Sequence, residues 1–171
     1  NSSAINPLSK YFRQPAIYMK LPSAGKFWPE GSLDLPVTSE IPVYPMTAID
    51  EITYRTPDAL FNGQATVNVI QSCCPNIKNA WEMPSIDVDT TLIAIRIASY
   101  GSKMDIDTKC PHCGEEHLYG VELGTILSGI RCPDYGQKII HKGLKIQLAP
   151  QAYFSVNQTD QIQFEEQQIL R

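Results

Sequence analysis

Asp87-Val88-Asp89-Thr90-Thr91-Leu92-Ile93-Ala94-Ile95-Arg96-Ile97-Ala98-Ser99-Tyr100-Gly101 is the stretch on which the fold turns. Val88, Leu92, Ile95 and Ser99 recur at helical spacing, and Ile93 and Ile97 widen the stripe. Arg96 is the one charge inside it, and Tyr100-Gly101 supplies a C-terminal stop. A helix that is apolar on nearly every side belongs at the centre of a domain. Asp87 and Asp89, at its start, read as capping residues.

Toward the C-terminus, Met104, Ile106 and Thr108 alternate as in a strand, and Leu118, Val121 and Leu123 mark its return. Residues 125–130 read as a short helix or turn. Residues 138–148 alternate again and predict a strand or hairpin with Gly143 near its turn. Pro150 opens a C-terminal helix with Tyr153, Val156, Ile162, Phe164 and Ile169 as its apolar positions. Toward the N-terminus, Asp58 can cap a helix through Leu60, Phe61, Ala65, Val67, Val69 and Ile70 that ends before Pro75. Before it, Pro7, Pro15, Pro22, Pro29, Pro36, Pro42, Pro45 and Pro57 fall at near-regular intervals and predict the absence of any helix of length. Short extended pieces remain at 16–21, 33–37 and 41–44. The expected architecture is α+β: an extended proline-rich arm with short strands over residues 1–57, then an α+β domain over 58–171. In that domain, central apolar helices and a C-terminal helix flank a small antiparallel sheet whose hairpin, residues 103–123, carries a zinc-knuckle-like turn.

The composition is that of a globular chain: 171 residues, 43% hydrophobic and 19% charged. No apolar run approaches the ~18–20 residues that span a bilayer, so no membrane span is expected. Net charge is −4, the isoelectric point is near 5.3, and Lys and Arg form no run. A nucleic-acid partner is therefore disfavoured, because counterion displacement needs a basic patch. Five cysteines, an odd number, point to metal or core thiols rather than a disulfide framework.

Cys110-Pro111-His112-Cys113-Gly114 has the pattern of a zinc knuckle, which aims two sulfurs at one metal while glycine takes the left-handed conformation. Cys132-Pro133-Asp134-Tyr135-Gly136 resembles a second knuckle in which Tyr135 replaces a cysteine. The spacing predicts a closed structural zinc site with Cys110, Cys113, Cys132 and His141 as ligands, with His117 or a partner chain as other sources of the fourth. A metal-free hairpin turn and a redox C-x-x-C are the alternatives. The redox reading suffers because the motif lies between strands and not at a helix N-terminus. His112 is expected to be exposed, and Cys73-Cys74 to be core thiols. No G-x-S-x-G, H-E-x-x-H or phosphate-loop motif occurs, and Ser23-Ala24-Gly25-Lys26 has the wrong length for the last. Asp105 and Asp107 read as a solvated strand face. No catalytic residue is expected.

Several segments carry a resemblance. They are Asn6-Pro7-Leu8 with Lys10-Tyr11-Phe12-Arg13-Gln14-Pro15, Leu21-Pro22-Ser23, Tyr44-Pro45-Met46-Thr47-Ala48, Arg55-Thr56-Pro57-Asp58-Ala59-Leu60, Met83-Pro84-Ser85-Ile86-Asp87, Ala94-Ile95-Arg96-Ile97-Ala98, Cys110-Pro111 with Cys113, and Phe164-Glu165-Glu166-Gln167. In order and spacing the chain resembles the baseplate hub protein family of T-even-type bacteriophages (myophages). The resemblance implies a non-enzymatic tail protein, either a hub subunit or an assembly chaperone. It would bind other baseplate or tail hub proteins, in the host cytoplasm during assembly or in the virion tail baseplate. The alternative from another class is a zinc-ribbon adaptor in transcription or nucleic-acid handling.

Overall fold

The computed structural model describes residues 13–55 and 63–169. Strand β1 (Ile17–Met19) pairs antiparallel with β2 (Ile41–Val43), Ile17 opposite Val43 and Met19 opposite Ile41. Helices α1 (Ala48–Arg55) and α2 (Gln64–Cys73) follow, then a 3-10 turn (Ala80–Glu82) and the long helix α3 (Ser85–Tyr100). Hairpin β3 (Lys103–Lys109) and β4 (Glu116–Glu122) leads into α4 (Leu123–Gly129), then hairpin β5 (Lys138–His141) and β6 (Leu144–Gln147), and finally α5 (Tyr153–Ile169). The three strand pairs are separate two-stranded antiparallel sheets, so the class is α+β as the sequence implies.

The core lies where the β1–β2 pair meets α2 and α3. Met19, Leu21, Ile41 and Val43 from the proline-rich stretch are buried with Val67, Val69, Ile70, Cys73, Ile77, Met83, Val88, Ala94 and Ile95. Each large aliphatic side chain buried there contributes about 1.5–3 kcal/mol. Backbone bonds join the same parts: Tyr44 N–H donates to Cys73 O at 2.8 Å, and Asp34 N–H to Asn76 O at 2.8 Å. Residues 33–37 form no strand ladder; only Leu33 bridges, to Ile77.

One sequence expectation about the helices changes. Eight residues of α1 lie inside the proline-rich stretch, because the gap from Pro45 to Pro57 admits two turns and carries its own start signal. Thr47 and Asp50 form a capping box: Asp50 Oδ2 accepts from Thr47 N–H at 2.8 Å, and Thr47 Oγ1 accepts from Asp50 N–H at 3.2 Å. Helix α2 begins at Gln64, with Gly63 just before it at φ 69° in the left-handed region. A Cβ on Gly63 would lie 2.6 Å from Asn157 Oδ1 of α5 and 2.9 Å from the Trp81 ring. Asp58, Leu60 and Phe61 lie outside the described residues.

Helix α3 is central as expected, but its fully buried face is not the apolar stripe alone. Asp87, Thr90 and Thr91 are buried with Val88, Ala94 and Ile95, while Leu92, Ile93 and Ile97 are half-buried. Asp87 is not a solvated cap. Its Oδ1 accepts from Ser23 N–H at 2.9 Å, and its Oδ2 accepts from Ser23 Oγ at 2.5 Å and from Trp28 Nε1 at 2.8 Å. Burial raises its carboxyl pKa above its ordinary value, and the Ser23 and Trp28 bonds pull it partly back. At the other end, Gly101 N–H donates to Ile97 O and ends the helix. Helix α5 returns beside the 3-10 turn, where Trp81 stacks on Tyr153 (5.6 Å between centroids) and meets Phe154 edge-on.

Replacing Asp87 by Ala strands three donors and is expected to cost roughly 2–4 kcal/mol in chemical denaturation. A raised folded-state pKa means that the carboxyl's contribution to stability is fully present below the unfolded pKa and is lost as pH rises through the folded one. The melting temperature of the wild type minus that of Asp87→Asn should therefore fall as pH is raised from about 3.5 to about 7.

Candidate functional site

The β3–β4 hairpin keeps strict register from Lys103 opposite Glu122 to Lys109 opposite Glu116 and closes through residues 110–115. Cys110 N–H donates to Glu115 O and Gly114 N–H to Cys110 O, both at 2.8 Å. Gly114 has φ 75°, the conformation the knuckle reading requires. The backbone N–H groups of Cys113 and His112 donate to the Cys110 sulfur, and they hold its thiol pKa below the ordinary value. At the same tip, ligand atoms of Cys113, Glu115 and His117 all lie within 4.8 Å of one another, and His117 Nε2 is 3.8 Å from Glu115 Oε2. These three side chains and His112 are exposed.

The predicted ligands divide between two places. Cys110 and Cys113 stand at the tip of the first hairpin. Cys132 lies in the segment after α4, its thiol donating to Pro133 O at 3.3 Å. Tyr135, the residue that replaces a cysteine in the second pentapeptide, packs edge-on against Phe27 with centroids 5.4 Å apart. His141 ends β5 opposite Leu144. Among the described residues the grouped metal-competent side chains are Cys113, Glu115 and His117, without Cys110, Cys132 or His141. Sequence reasoning did not select Glu115. Glu115 immediately precedes β4 and His117 is its second residue, two positions on. Asp105 and Asp107 are exposed on β3. Cys73 and Cys74 are buried; burial pushes the Cys73 thiol up to about 11 and the Cys74 thiol higher still.

The second feature is uncovered apolar surface. Every residue of β5 and β6 is exposed, and the register places Ile139, Leu144 and Ile146 with His141 on one face. Leu144 is 66% exposed and Ile139 49%. Leu118 and Tyr119 of β4 are likewise exposed. Between α1, α3 and the base of β3, an apolar cleft of about 330 Å³ is lined by Tyr54, Val69, Leu92, Ile93, Tyr100 and Leu123. A lone two-stranded hairpin is marginal in water, and uncovered strand edges are templates for pairing. The described residues thus present uncovered apolar strand surface and a cluster of metal-competent side chains at a hairpin tip.

The model of the T4 bacteriophage base plate protein family matches residues 14–169, and the chain belongs to that family. This places it among the proteins of the phage tail baseplate. No curated protein and no solved structure matches it. Among the described residues, no helix is long and apolar enough to cross a membrane.

Alkylation followed by mass spectrometry should separate two thiol classes. Cys110, Cys113 and Cys132 should react within minutes in native, chelator-treated protein, and Cys73 and Cys74 only after denaturant is added, given their burial. Modification of Cys74 at the rate of Cys113 would contradict this arrangement.

Proposed function

We propose that the protein serves the central hub of the baseplate, as a hub subunit or as an assembly chaperone, by protein–protein binding and without catalysis. The observation that carries this reading is the β5–β6 hairpin, whose apolar face of Ile139, Leu144 and Ile146 is uncovered. An apolar strand face left open to solvent has the character of an interaction surface. Membership of the baseplate family supports other baseplate proteins as that partner. The proline-rich stretch supports the reading from the other side. Its buried positions are spent on the core, while Tyr18, Phe27 and Val37 remain exposed. Assembly in the host cytoplasm and delivery into the virion tail accord with both forms of the reading.

The double variant Ile139→Thr/Leu144→Thr keeps strand propensity while removing the apolar face. Its melting temperature should match the wild type, because neither side chain is in the core. Capture of hub proteins from infected-cell extract should fall about tenfold or more, the effect of losing interface anchors worth over ~1 kcal/mol each. Unchanged capture and normal tail assembly would reject this face as the contact. Mass spectrometry of finished tails and of assembly intermediates then separates the two forms: presence in both marks a subunit, and presence in intermediates alone marks a chaperone.

A further inference from the structure

We propose that the tip of the β3–β4 hairpin is a structural zinc site in which Cys110, Cys113, Glu115 and His117 coordinate one Zn²⁺. The ligand set differs from the ribbon-type set that spacing suggests, since His117 and Glu115 take the places of His141 and Cys132. Four observations carry it. The 110–114 turn has knuckle geometry, with Gly114 in the left-handed region and its N–H bonded to Cys110 O at 2.8 Å. Ligand atoms of Cys113, Glu115 and His117 already lie within 4.8 Å of one another. Tetrahedral zinc, with bonds of about 2.0–2.3 Å, sets its ligand atoms about 3.5 Å apart, so these three side chains stand near the spacing a metal requires. Cys110 also stands outside that group, as do Cys132 and His141, but the closed 110–114 turn joins it to Cys113.

The fourth observation is a physical need. Seven-residue strands that are almost wholly exposed, with polar side chains on most positions, leave β3–β4 little hydrophobic burial to hold its outer end. A metal at the tip fixes that end by joining the turn to the first residues of β4. The donor set suits zinc: two soft thiolates with an imidazole and a carboxylate exclude magnesium and calcium, which favour oxygen ligands throughout. Two thiolates, one carboxylate and a neutral imidazole around Zn²⁺ leave one negative charge. Lys109, whose Cε comes 3.8 Å from the position a Gly114 Cβ would occupy, brings a cation to the same tip. With four protein ligands the site is closed, which makes it a staple and not a reaction centre.

The test uses the whole chain and Zn²⁺ alone. Protein purified without chelator should contain about one zinc per chain by elemental analysis. After removal, Co²⁺ should restore a thiolate-to-cobalt charge-transfer band and the visible bands of a tetrahedral site. Cys113→Ser, His117→Ala and Glu115→Gln should each weaken zinc binding by more than about tenfold, measured against a chromophoric chelator. Cys132→Ser and His141→Ala should bind as the wild type does. Circular dichroism verifies that each variant keeps its helical core, which the exposed tip does not touch. Absence of zinc and cobalt binding in the wild type overturns the proposal. So does loss of binding in Cys132→Ser or His141→Ala, which would restore the ribbon-type set. Full affinity in any of the three tip variants overturns that residue's assignment as a ligand.

Discussion

One buried carboxylate organises the fold. Asp87 lies in the first turn of α3, with no exposed surface, and takes three hydrogen bonds from the loop that follows β1. An ionised carboxylate is costly to bury unless its lone pairs are satisfied, so the loop can take only the conformation that brings Ser23 and Trp28 to it. That fixes where β1 enters the core, and β1 in turn fixes β2. The specificity comes from the penalty of the alternatives more than from the net strength of the bonds.

A second polar anchor repeats the device at the other side of the core. Asp50 caps α1 through Thr47, accepts from Ser72 Oγ of α2 at 2.9 Å, and lies 3.6 Å from the Arg13 guanidinium. Arg13 also donates to Ser72 O at 2.9 Å and to the Pro45 carbonyl. Loops that no ladder could hold are thus tied to helices by carboxylates. Away from these anchors the packing thins: the core belongs to residues from β1 to α3, and the two later hairpins project from it with few buried side chains.

Most of the element order was legible, for reasons that differ by element. The α3 periodicity, the alternation at 104–108 and 138–148, and the Gly143 turn are local signals, and local signals survive tertiary context. Helix α1 was missed because proline density was read over a long window, while the capping box at Thr47 and Asp50 acts within three residues. The burial of Asp87 was illegible, since its partners Ser23 and Trp28 are about sixty positions away and serine and tryptophan carry no mark of what they will bond. At the hairpin tip the two cysteines were evident from spacing. Choosing among histidines required the fold, because sequence distance cannot say that His117 lies beside Cys113 while His141 ends another hairpin.

The open edges of the β5–β6 hairpin bear on dosage. A strand pair whose outer edges pair with no other described strand, with Ile139, Leu144 and Ile146 on one face, would offer a neighbouring copy the same template that it offers the partner proposed above. Copies made in excess of that partner would then find one another, edge to edge, in a contact that need not close into a symmetric ring. The cell that makes this chain therefore has reason to match its supply to that of its partner. An imbalance between the two would appear first as insoluble protein and only later as defective particles.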